Sequence, residues 1–63
     1  MYTRYVELRD ACGATDAKVA AATNIPRSTF TDWKSGRSKP KLEKLLKIAG
    51  YFGVPVEELI RGD

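Results

Sequence analysis

The chain has no histidine, one cysteine and no long apolar run, and each shortage removes a class of function. With Cys12 as the lone thiol, no internal disulfide can form, and there are too few soft ligands for a zinc site. No metal and no cofactor is expected, so packing must hold the fold. An unpaired thiol suits a reducing compartment. The opening YTRYVELRD is charged and lacks the apolar stretch of a secretory signal. The longest uncharged stretch near the end, AGYFGVPV, is broken by glycine and proline and is too short to span a bilayer. The expectation is a cytoplasmic protein with no membrane partner. The parts of an active site are missing too: no histidine, no paired-carboxylate pocket and no phosphate-binding glycine loop. No enzyme is expected, and no small-molecule ligand is evident.

What is present fits one small domain over residues 1–63. Hydrophobic residues make up 43% of the 63, which suits a globular chain and argues against disorder. A domain this small buries only about 60% of its unfolded surface, so it depends on good packing. Glycine and proline fall singly, as punctuation, and there is no repeat or low-complexity tract.

Five helices and no strand can be read. Met1, Tyr5, Leu8 and Cys12 recur at helical spacing and define one face of the first, which Gly13 ends. Thr15 is a good N-cap for the second, and Asp16 complements its dipole. A capping box is absent because Lys18 stands where Glu or Gln would. Val19, Ala20 and Thr23 form its narrow inner face. Asn24 suits a left-handed turn, Ile25 points inward, and Pro26 opens the third helix. That helix runs to about Lys34, buries Phe30 and Trp33, and ends at Gly36. The stretch RSKPK reads as an exposed loop stopped by Pro40. The fourth helix follows from Lys41, with Leu42, Leu45, Leu46, Ala49 and Phe52 as its apolar stripe and Ile48 beside it. Lys41, Lys44 and Lys47 lie on the opposite side. Gly53 closes it, and Pro55 starts a short fifth helix with Val56, Leu59 and Ile60 inward. The final RGD is expected to fray. The expected core is Tyr5, Leu8, Val19, Ala20, Ile25, Phe30, Trp33, Leu42, Leu45, Ala49, Phe52, Val54, Leu59 and Ile60.

Charge is unevenly spread. The net value is +3, but residues 26–47 carry seven Lys or Arg against Asp32 and Glu43, and the remainder is net acidic. Such a segment is either a solvated face or the footprint of an anionic partner. Placement favours the partner. A helix, a three-residue turn and a second helix presenting its first residues outward is an arrangement that reads DNA. Phe30 and Trp33 share the inner face, which leaves Arg27, Ser28 and Asp32 elsewhere on the cylinder, flanked by Thr29 and Thr31.

At this point the chain resembles a family. Thr15, Val19 and Ala20, the turn Asn24-Ile25, Ser28-Thr29-Phe30, Trp33-Lys34-Ser35-Gly36, Pro40, the leucine-rich fourth helix and GVPVEEL are similar, in order and spacing, to the phage repressor and Cro type of helix-turn-helix domain. The resemblance implies an all-α, five-helix lambda-repressor-like fold. It also implies a phage or bacterial transcriptional regulator that binds double-stranded DNA, commonly as a homodimer on a palindromic operator. Carried over residue by residue, it puts Arg27, Ser28 and Asp32 at base-reading positions with Thr29 next to them. Arg37, Lys39 and Lys41 fall on the DNA backbone, with Ser35 adding a hydroxyl. Arginine pairs with guanine O6 and N7, and aspartate accepts from cytosine N4.

Two positions depart from the pattern. Relatives usually carry Gln at the start of the second helix, where it clamps a phosphate; Asp16 would repel one. Relatives often carry Glu at the place of position 34, paired with an Arg on the first helix; here Arg9 faces Lys34. Lys34 is therefore expected to turn outward and join the backbone-facing cations.

The chain is then either a Cro-like minimal repressor or the DNA-binding module of a longer protein. An antitoxin or protein-interaction module on the same fold is the alternative. It would need an exposed apolar patch that the expected core does not claim.

Overall fold

The computed structural model describes residues 2–61. Met1, assigned above to the first helix's inner face, and Gly62 and Asp63 of the RGD end lie outside the described residues. Five helices run in the order α1 (Tyr2–Ala11), α2 (Asp16–Thr23), α3 (Arg27–Ser35), α4 (Leu42–Phe52) and α5 (Glu57–Ile60), with no strand among the described residues.

The boundaries follow local chemistry. Thr15 is extended, and its hydroxyl accepts from the Lys18 amide at 3.2 Å, which satisfies one of the free N–H groups at the start of α2. Thr15→Ala should lower unfolding free energy by about 1 kcal/mol, read as an earlier urea midpoint at unchanged slope. Asn24 takes the left-handed conformation, φ 58° and ψ 34°, that ends α2 within the turn. Gly36, at φ 81°, lets the chain reverse after α3 so that the Arg37 amide reaches the Asp32 carbonyl at 2.9 Å.

The core is built around one tyrosine. Tyr5 of α1 is fully buried, with its ring 5.4 Å from Phe30, 5.1 Å from Trp33, 5.7 Å from Tyr2 and 6.0 Å from Phe52. Val19, Ala20, Ile25, Leu45, Ile48, Ala49 and Leu59 complete the buried cluster, with Leu8, Phe52, Val54 and Val56 half-covering it. α2 packs on both α3 and α4, while α5 closes over α1 and α4. Arg4 fastens α1 to α5: its guanidinium meets the Glu58 carboxylate at 2.8 Å and donates to the Glu58 carbonyl at 3.2 Å. That pairing holds the Glu58 carboxyl below the usual carboxylate range.

Several expectations need correction. Ile48 is fully buried, while Leu42 and Leu46 are 58% and 52% exposed. The buried face of α4 is centred on Leu45, Ile48 and Ala49 with Phe52 beside them, rotated by about 60° from where an all-leucine stripe would put it. Ile60 is exposed because α5 is a single turn that inserts only Leu59. Cys12 is exposed, since α1 ends at Ala11 before that position can turn inward. Pro40 is buried rather than part of an exposed loop.

Candidate nucleic-acid interface

The turn between α2 and α3 is held from within. Ile25 is buried at its centre, and its amide donates to the Ala20 carbonyl at 3.1 Å. Phe30 and Trp33 are both buried beneath α3. With each residue turning the helix by about 100°, those anchors leave Ser28, Thr31, Asp32 and Ser35 on the outward ridge. Arg27 and Lys34 lie on one flank and Thr29 on the other. Pro26 precedes α3, and no side chain caps the helix. The amino end of α3 therefore presents free N–H groups and partial positive charge beside the exposed Arg27 and Ser28.

The expected residues fall into separate groups. Arg27 and Ser28 are exposed, Asp32 is partly exposed, and no ion pair involves Arg27 or Asp32 among the described residues. The Asp32 carbonyl accepts from the amides of Arg37 and Ser38, tying the following loop to α3. The Ser35 hydroxyl donates to the Asp32 carbonyl at 3.1 Å and also meets the Arg37 amide at 3.4 Å, so it braces the turn. Thr29, Lys39 and Lys41 come together with Ser38, Pro40 and Lys44 around a surface depression of about 380 Å³. Lys44 and Ser38 are the members that sequence reasoning missed. The sequence pattern puts Lys44 on the solvent side of α4, whereas the structure has it partly buried and lining this depression with Thr29 of α3. Its three-residue spacing from Lys41 was visible; what it faces depends on how α3 and α4 pack.

The two departures from the family pattern resolve into one network. Asp16, in the first turn of α2, accepts from the Tyr5 hydroxyl at 2.6 Å and from Arg9 at 3.0 Å. Arg9 also pairs with Asp10 at 3.1 Å. Asp16 thus supplies the carboxylate that position 34 lacks, and Lys34 is exposed as expected. Burial alone would raise the Asp16 carboxyl, but the hydrogen bonds from Tyr5 and Arg9 and the charges of Arg9 and Lys34 outweigh it and hold its pKa down. Burial, and then the bond to Asp16, push the Tyr5 phenol up.

The sign of the resulting pH dependence is set by that depressed carboxyl. Its contribution to stability is complete above the unfolded value, near 3.8, and is lost as pH falls through the lower folded value. Acid titration of stability should show a loss below about pH 4 that Asp16→Asn diminishes, measured by urea unfolding at each pH.

Comparison with known proteins agrees with this geometry. A family model described as helix-turn-helix matches residues 7–59. The chain is 30% identical over 57 residues to the HTH-type transcriptional activator BcrR of Enterococcus faecalis, covering 90% of this chain and 28% of that protein. It is 35% identical over 43 residues to the cryptic phage CTXphi transcriptional repressor RstR of Vibrio cholerae, covering 68% and 39%. It is 34% identical over 59 residues to the HTH-type transcriptional regulator DdrOP3 of Deinococcus deserti, covering 94% and 46%. The chain thus spans less than half the length of each of these relatives. No solved structure matches it.

Proposed function

The chain belongs to the helix-turn-helix family, and from that premise we propose that it is the DNA-binding domain of a phage or bacterial transcriptional regulator. In this reading α3 enters the major groove of double-stranded DNA. Arg27, Ser28 and Asp32 meet base edges with Thr29 next to them, and Lys34, Ser35, Arg37, Lys39 and Lys41 face the backbone. The observation that carries the reading is the uncapped, exposed amino end of α3, held outward by buried Phe30 and Trp33 and bordered by the lysine-lined depression.

Its setting is the cytoplasm, and no catalysis is part of it. No helix among the described residues is long and apolar enough to cross a membrane. No group of His, Cys, Asp and Glu among them can hold a metal ion. The similar proteins include one named an activator and one named a repressor, so the domain is proposed as the reader of a site, with the direction of regulation lying elsewhere.

Selection of bound duplexes from a random pool tests the reading. Recovery of a consensus supports it, and recovery of none overturns it. A palindromic consensus with half-sites about 34 Å apart would further support a homodimer. Within that assay Lys39→Ala should weaken binding to all sequences alike and reduce the slope of log affinity against log salt by about one. Lys34→Glu should also make that slope shallower, because it reverses a charge on the exposed flank of α3. A slope unchanged by Lys34→Glu would remove Lys34 from the interface.

A second reading, a protein-interaction module or antitoxin on the same fold, draws on the exposed pair Leu42 and Leu46. They stand one turn apart on α4, on the flank away from Lys44.

A further inference from the structure

We infer that α4 carries a self-complementary ridge, Leu42, Leu46 and Gly50, on which a second copy of this chain packs antiparallel about a two-fold axis at Leu46. The inference goes beyond the DNA-binding reading and does not depend on it. Leu42 and Leu46 are 58% and 52% exposed, and Gly50 is exposed too. The three stand four residues apart, so each is turned about 40° from the next and all lie within one arc of about 80°. They form the i, i+4 row by which packed helices interlock. Gly50 is the unexpected member. Glycine inside a helix weakens it, and a Cβ built there would meet no other described part of the chain within 4 Å. Packing within the domain therefore does not call for a glycine at that place, whereas close approach by an outside helix does.

The order of residues along the ridge selects the occupant. With α4 antiparallel to a copy of itself and Leu46 at the axis, position 42 falls opposite position 50. Each Leu42 then enters the notch left by Gly50 of the second copy, and the two Leu46 side chains meet at the centre. The flanking charges match in the same arrangement. Glu43 and Lys47 stand about 60° and 100° round from Leu46, on the side away from the core, and both are exposed. Neither is in an ion pair among the described residues. A two-fold axis across the ridge keeps this flank of both helices on one side. It brings Glu43 of one copy to within about 3 Å of Lys47 of the other, measured along the helix, and the pairing occurs twice. A foreign helix would have to supply both the leucine spacing and the charge order, and a second copy supplies both. The ridge is only about 12 Å long, so the contact falls below the roughly 1,200 Å² of a stable complex and the dimer is weak and reversible.

Sedimentation equilibrium of the unaltered chain without DNA, from micromolar to millimolar concentration, is the test. A monomer–dimer equilibrium is expected, and a chain that stays monomeric throughout overturns the inference. Leu46→Lys should raise the dissociation constant by roughly tenfold or more. Gly50→Leu should weaken the dimer comparably while circular dichroism shows the monomer folded, since the added side chain enters open space. Glu43→Lys and Lys47→Glu should each weaken self-association several-fold. Mixing those two variants should restore a dimer, because each copy then faces opposite charges on the other. Dimerisation untouched by Leu46→Lys and Gly50→Leu, or a mixture no tighter than either charge variant alone, overturns the assignment of this face. Selection of a duplex by the unaltered chain is read separately, so either reading can fail without the other.

Discussion

Tyr5→Ala should leave most of the chain unfolded at ambient temperature. Tyr5 is fully buried and its ring touches four others, from α1, α3 and α4. Truncating a buried aromatic to alanine costs about 3–5 kcal/mol, and a domain of this size has roughly 3–9 kcal/mol in total. The loss is compounded because Asp16 keeps its partly buried carboxylate without its hydroxyl partner. Circular dichroism with urea titration reads the effect as a collapsed or absent transition. Tyr5→Phe separates the two contributions. It keeps the ring and removes only the hydroxyl, so it should cost about 1–2 kcal/mol and leave a cooperative transition. A full, unshifted transition in Tyr5→Ala would mean that α1 is not part of the cooperative core.

Arg27→Ala carries the largest expected effect on binding. Arg27 is the first residue of α3, exposed, and paired with no carboxylate among the described residues, so its guanidinium is available to a partner. A bidentate contact to guanine O6 and N7 is worth about 1–3 kcal/mol, and its loss should lower affinity for the selected duplex by about 5- to 150-fold. Preference should relax at one base pair and stay sharp elsewhere. Arg27→Lys should recover part of the affinity but not the preference, because an ammonium keeps the charge and loses the planar fork. Equal weakening on every duplex, with preference intact, would move Arg27 to the backbone.

Much of the framework was legible along the chain. Thr15, Asn24 and Gly36 act through their own backbone and nearest neighbours, so the ends of α2 and α3 follow from residue chemistry. Phe30 and Trp33 share a face by spacing alone, and both are buried. The basic bias of residues 26–47 pointed to the surface that the α3 flank and the α3–α4 loop now form. Three of the differences share one cause: Leu42, Leu46 and Ile60 are apolar, but apolarity does not say which apolar residues the neighbouring helices reach.

Position 34 shows the same division. From the sequence, Arg9 facing Lys34 was only a lost ion pair. In the fold Asp16 takes Arg9 and the Tyr5 hydroxyl together, a contact between two helices that spacing along either cannot reveal.

The chain by itself determined its helices, their caps and the outward aim of the α3 amino end, because periodicity and capping act over a few residues. Only the tertiary structure decided that Tyr5 is the hub, that Asp16 is Arg9's partner, and that Lys44 lines the same depression as Thr29. Each joins residues from different helices, and their meeting depends on packing angles set by the whole core.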